Sequence, residues 1–153
     1  MEYTTPNTVI LMIAGYILFV LALAWGESRL LMKWQFGGKI GSLIYAIPVH
    51  LITAVVAPVG MMAALAAGML GVLSAVNNTE GVTTDVAFRS VAVPIAWASI
   101  ILLLAVRAVP LFFMNLRRSP SKALLYGVFT CPVFCAIYLV LGVPALGLVT
   151  SAN

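Results

Sequence analysis

Charge is the scarcest property of this chain: eight Lys and Arg and four Asp and Glu make up 8% of its 153 residues. So few charges cannot solvate a water-soluble domain, and a composition that is 63% hydrophobic excludes that class. Histidine is scarcer still, with His50 alone. A single histidine rules out a two-histidine haem site or an HExxH zinc helix within the chain. The two cysteines, Cys131 and Cys135, stand four apart inside an apolar run rather than in a loop, without CxxC spacing. We read them as small apolar fillers, since a disulfide across one helical turn would be strained. Phosphate loops and Rossmann glycine patterns are also missing, so neither a cofactor nor enzymatic activity is expected of this chain alone.

The N-terminal MEYTTPNT carries Glu2 and no basic residue, which is not the positive n-region of a secretory signal. We therefore expect the first apolar run to be retained as a helix. The formal charge of +4 is placed in connections beside apolar runs. It speaks to topology and anionic lipid headgroups, and not to nucleic acid.

What the chain does have is apolar length. With about 20 apolar residues needed per crossing, it accommodates four spans, at about 9–25, 44–76, 90–113 and 124–149. The expected fold is an all-α integral membrane protein, a single four-helix transmembrane domain with short interfacial segments. Residues 42–76 contain no charged side chain and would make a helix about 50 Å long against a hydrocarbon core of about 30 Å. We expect Pro58 to bend it, with residues 42–57 entering obliquely and 59–76 forming the regular part. Pro132, Gly142, Pro144 and Gly147 are expected to kink or shorten the fourth span.

Two boundaries admit alternatives. Residues 26–41 mix Arg29, Lys33 and Lys39 with Leu30, Leu31, Trp34 and Phe36, which suits either a short interfacial helix ending at Gly37 and Gly38 or a plain loop. The third span either continues to Met114, leaving Arg107 about 10 Å inside its end, or stops at Arg107 and turns into an interfacial elbow broken at Pro110. We favour the elbow, which keeps the guanidinium at headgroup depth.

Basic residues set the sidedness. The first connection holds Arg29, Lys33 and Lys39 and the third holds Arg117, Arg118 and Lys122, whereas the second has Arg89 alone and the tails have none. With four spans the two basic connections share a side, so the positive-inside rule puts them in the cytoplasm and both termini outside. The expected location is the plasma membrane, or the inner membrane of a Gram-negative cell. The Asn77-Asn78-Thr79 acceptor pattern lies too near the membrane to weigh much.

Four sets of candidate residues follow. His50, with Thr53 one turn on, is a possible proton or ligand site, because an ionisable group within a span is functional by default. Arg107 is paired with Glu27, the only acidic residue on the cytoplasmic side. Gly60, Ala64, Gly68 and Gly71 form a small-residue face for helix packing, within the bundle or against another subunit. Arg29, Lys33, Lys39, Arg117, Arg118 and Lys122 would contact lipid headgroups or a partner.

From these we expect a non-catalytic accessory subunit of a larger membrane complex, such as a secretion, respiratory or transport assembly, with other membrane subunits as partners. The alternative is a small oligomeric transporter or channel using the bent second helix and His50. An immunity-type protein that blocks a membrane partner is a third possibility without a specific signal.

Overall fold

A computed structural model describes the backbone of residues 6–77 and 83–150, with side chains for residues 8, 10–77 and 83–142. Asn78, Thr79 and Glu80 of the middle connection, and the side chains of Pro144 and Gly147, lie outside the described residues. The chain forms four helices: α1 (Pro6–Lys33), α2 (Lys39–Asn77), α3 (Thr84–Met114) and α4 (Pro120–Thr150). All four are long and apolar enough to cross a membrane.

Antiparallel packing of neighbours is visible in which residues meet. A Cβ added to Gly60 of α2 would strike Ser99 of α3, one on Gly68 would meet Phe88, and one on Gly71 would come within 2.8 Å of the Ala87 carbonyl oxygen. The partner numbers fall as the α2 numbers rise. The small-residue face is therefore used inside this chain, where it brings α2 and α3 backbone to backbone. On the other flank, Gly127 of α4 abuts the backbone of Ala108 on α3. Among the described residues α1 and α3 sit diagonally and do not approach as backbones, while α2 and α4 touch each other and both of the others.

The helices run longer than the apolar windows suggest. α1 continues past Trp25 through Arg29 to Lys33, so the expected interfacial helix is its last two turns. Nothing between Trp25 and Lys33 breaks a helix, and Ser28 Oγ donates to the Trp25 carbonyl inside the turn. The stop comes later, where Gln35 takes a left-handed φ of 61° and the amides of Gln35 and Phe36 reach back to the carbonyls of Met32 and Leu31. These two bonds make the Schellman ending of a helix.

α2 is one helix of 39 residues through both Pro48 and Pro58, about 58 Å long. The expected division at Pro58 does not interrupt it. α3 likewise runs on through Pro110 to Met114, which corrects the elbow we favoured over residues 108–118. α4 continues to Thr150 rather than ending near Gly142.

At Pro58 a neighbouring helix takes up the carbonyl that the proline frees. Pro58 has no amide to give the carbonyl one turn back, that of Ala54, and Tyr16 Oη of α1 donates to that oxygen at 3.0 Å. Beside Pro110, Tyr45 Oη of α2 donates to the Arg107 carbonyl at 2.9 Å. Both tyrosines thus tie α2 to another helix at a proline.

The bundle ends nearest Lys33, Lys39, Met114 and Pro120 carry the basic connections, and we call this the basic end. Its two turns are joined by Asn115, whose buried Nδ2 donates to the Phe36 carbonyl at 2.9 Å. The opposite end shows an exposed Arg89–Asp85 pair at 2.9 Å, one turn apart on α3. Such pairs contribute about 0.3–0.5 kcal/mol. An Arg89→Ala variant is expected to change the unfolding midpoint by no more than that implies, checked by thermal unfolding in detergent.

Candidate functional site

Every helix sends a polar side chain into one buried cluster. Glu27 of α1, His50 of α2 and Arg107 of α3 are 0–1% exposed, and Tyr138 of α4 is fully buried beside them. Arg107 Nη2 lies 2.5 Å from Glu27 Oε1. This contact crosses the diagonal of the bundle, which the backbones of α1 and α3 do not, and the length of the arginine makes the reach possible. The other carboxylate oxygen, Oε2, stands 2.6 Å from His50 Nε2, close but not aligned as a hydrogen bond. On the far side of the imidazole, Nδ1 is 2.6 Å from Tyr138 Oη. Tyr126, nearly two turns into α4, donates from Oη to Glu27 Oε1 at 3.3 Å.

Phe134 separates the two basic groups. Its ring faces the Arg107 guanidinium at 4.3 Å and meets the His50 ring edge-on at 4.5 Å. The π face thus takes part of the arginine charge that no oxygen meets. Arg107 Nε and Nη1 find no hydrogen-bond partner among the described residues. Glu27 and Arg107 bring one carboxylate and one guanidinium into the cluster as a pair. Glu27, Arg107 and Tyr126 lie about 9–10 Å in from their helix ends at the basic side, and His50 about 16 Å. The charges are therefore enclosed between the helix ends, inside the bundle.

The structure brings Glu27, His50 and Arg107 into contact. It keeps Thr53 apart: the hydroxyl donates to the Val49 carbonyl one turn back on α2, at 2.6 Å. Gly60, Ala64, Gly68 and Gly71 lie far along α2 against α3. Of the six basic residues, all are exposed. Lys33, Arg118 and Lys122 line one groove at the basic end together with Trp34 and Ser119, and Arg29 lies over the Trp25 ring at 4.6 Å. Lys39 and Arg117 stand clear of that groove.

Sequence reading missed Tyr126, Tyr138, Tyr45 and Phe134. One signal was available for Tyr138, which sits in the middle of an apolar run; a phenol far from either interface needs a partner for its hydroxyl. Among the described residues no three His, Cys, Asp or Glu side chains form a metal-ligating group. Cys131 and Cys135 are reduced, with sulfurs 3.8 Å apart on one face of α4.

These features define a class: a four-helix bundle of membrane-crossing length with an ion pair and a histidine sealed where its helices meet. No protein-family model, curated protein or solved structure matches the chain.

Proposed function

We propose that this chain is a small membrane transporter that works as an oligomer, with Glu27, His50 and Arg107 as its working groups. One observation supports the reading: ionisable side chains from three helices meet, fully buried, at a depth where apolar packing would hold the bundle at lower cost. Ionisable groups kept at such depth mark ion and substrate pathways. The chain carries out no covalent chemistry in this reading and needs no cofactor. The basic end faces the cytoplasm of a plasma membrane, or of a Gram-negative inner membrane, with both termini outside. The groove of Lys33, Arg118 and Lys122 holds anionic headgroups, each charge contributing about 1 kcal/mol near the surface.

Sidedness gives a separate prediction. Replacing Arg117, Arg118 and Lys122 together by Gln leaves the third connection uncharged, and a mixture of orientations is expected. Labelling of a cysteine placed in the C-terminal tail by a membrane-impermeant thiol reagent reads it out; uniform orientation would show that these charges do not direct insertion.

A second reading, an accessory subunit of a larger complex, is favoured by the outer half of the α2–α3 hairpin. Between residues 59 and 77 only Ala64 and Gly68 are buried, while Met69, Leu70 and Leu73 remain exposed. Purification in mild detergent separates the two. A homo-oligomer that moves solute after reconstitution into liposomes supports the transporter, and stable association with unlike subunits without transport supports the accessory role.

A further inference from the structure

We infer that the buried cluster is a proton relay, so that the ion moved by this chain is H⁺. The inference rests on the transporter reading and names its substrate. Four groups stand in series: Tyr138 Oη, the two nitrogens of His50, the two oxygens of Glu27, and Tyr126 Oη. The heavy-atom steps are 2.6, 2.6 and 3.3 Å, within or near proton-transfer reach, and the middle one needs the imidazole to turn into line with the carboxylate. Along α4 the chain extends about 18 Å from Tyr126 to Tyr138.

The Tyr126 end leads onward. Tyr126 is partly exposed and lines a groove at the basic end with Trp34, Phe36 and Lys122. Tyr138 is buried, and one turn further along α4 the partly exposed Tyr16 sets its hydroxyl beside Gly142.

Proton balance is simple. In the starting state His50 carries its hydrogen on Nε2, and the Tyr138 hydroxyl donates to Nδ1. A proton arriving at the Tyr138 oxygen displaces the phenol's own proton onto Nδ1. The Nε2–H bond then breaks and an O–H bond forms on Glu27 Oε2. Rotation of the carboxyl brings that proton to the Tyr126 oxygen, which releases its own proton to the groove. One proton has entered and one has left. A turn of the imidazole then presents Nδ1–H to Glu27 and the bare Nε2 to Tyr138, and the next proton passes with the two nitrogens exchanged. A second turn restores the starting state, and Arg107 remains charged throughout beside the restored carboxylate. The titratable groups that face the histidine are Glu27 of α1 and Tyr138 of α4, and Arg107 of α3 and Tyr126 of α4 meet the same carboxylate.

The test uses the full chain in phosphatidylcholine–phosphatidylglycerol vesicles loaded with pyranine, with a potassium gradient and valinomycin setting the voltage. Wild-type protein is expected to move protons well above protein-free vesicles. Tyr138→Phe, which removes one oxygen and keeps the ring, is expected to slow the flux about a hundredfold, at the low side of what a positioned proton-transfer group contributes. Tyr126→Phe tests the other end independently, should the first variant fail to elute as wild type. Wild-type flux equal to that of empty vesicles, or a well-folded Tyr138→Phe or Tyr126→Phe protein with undiminished flux, overturns the relay. Solute-gradient currents on a solid-supported membrane separate the two failures. Currents without proton movement overturn the relay and leave the transporter; absence of both overturns both.

Discussion

Arg107→Leu is expected to lose about 3–5 kcal/mol, the cost of removing one partner from a buried pair. The reason lies in what remains. Glu27 would keep its carboxylate in a fully buried site, with His50 and Tyr126 close by but no cation. Packing adds to the loss, since the guanidinium rests on Phe134 and bridges α1 and α3, whose backbones do not approach among the described residues. Adding Glu27→Gln to this background removes the stranded charge and is expected to restore part of the loss, because replacing both members of a buried pair is often near neutral. The two single variants and the double close a cycle. Unfolding in detergent, followed by loss of helical signal, measures it. If Arg107→Leu costs less than about 1 kcal/mol, in the range of an exposed pair, the diagonal link does not hold the bundle.

How much of this was legible beforehand differs between fold and site. Four helices follow from four apolar runs, because only a helix satisfies its own backbone in lipid. Their ends do not follow, since a charged turn such as the one from Arg29 to Lys33 extends a helix as readily as it leaves one. The prolines misled for a related reason. Pro58 and Pro110 look like breaks when a sequence is read locally, but the hydroxyl of Tyr16 that takes up the carbonyl freed by Pro58 comes from another helix. The site divides in the same way. His50 and Arg107 stand out because an ionisable group in an apolar run is rare, and Glu27 because it is the only acidic residue beside the basic connections. Tyr138 and Tyr126 meet His50 and Glu27 across 88 and 99 residues, and no local spacing encodes that.

Small residues at helix crossings show how tightly the site depends on the fold. A Cβ on Gly127 would lie 2.8 Å from the Cα of Ala108 and 3.2 Å from its nitrogen. Those atoms are backbone, so neither helix can yield without moving as a whole. Gly127→Val is therefore expected to cost toward the upper end of the 1–3 kcal/mol typical of overpacking, about 3 kcal/mol. Its neighbours give the change a second effect. Gly127 follows Tyr126 and Ala108 follows Arg107, so pushing α3 from α4 here shifts both groups relative to the Glu27 carboxylate. Gly26→Ala supplies the contrast one residue from Glu27: a Cβ there meets nothing, and exchanging glycine for alanine within a helix is expected to leave stability unchanged or raise it by up to about 1 kcal/mol. Thermal unfolding of both variants in the same detergent decides the matter. A Gly127→Val protein as stable as wild type would mean that α3 and α4 are not held at this distance, and that the cluster tolerates a looser crossing than its short contacts imply.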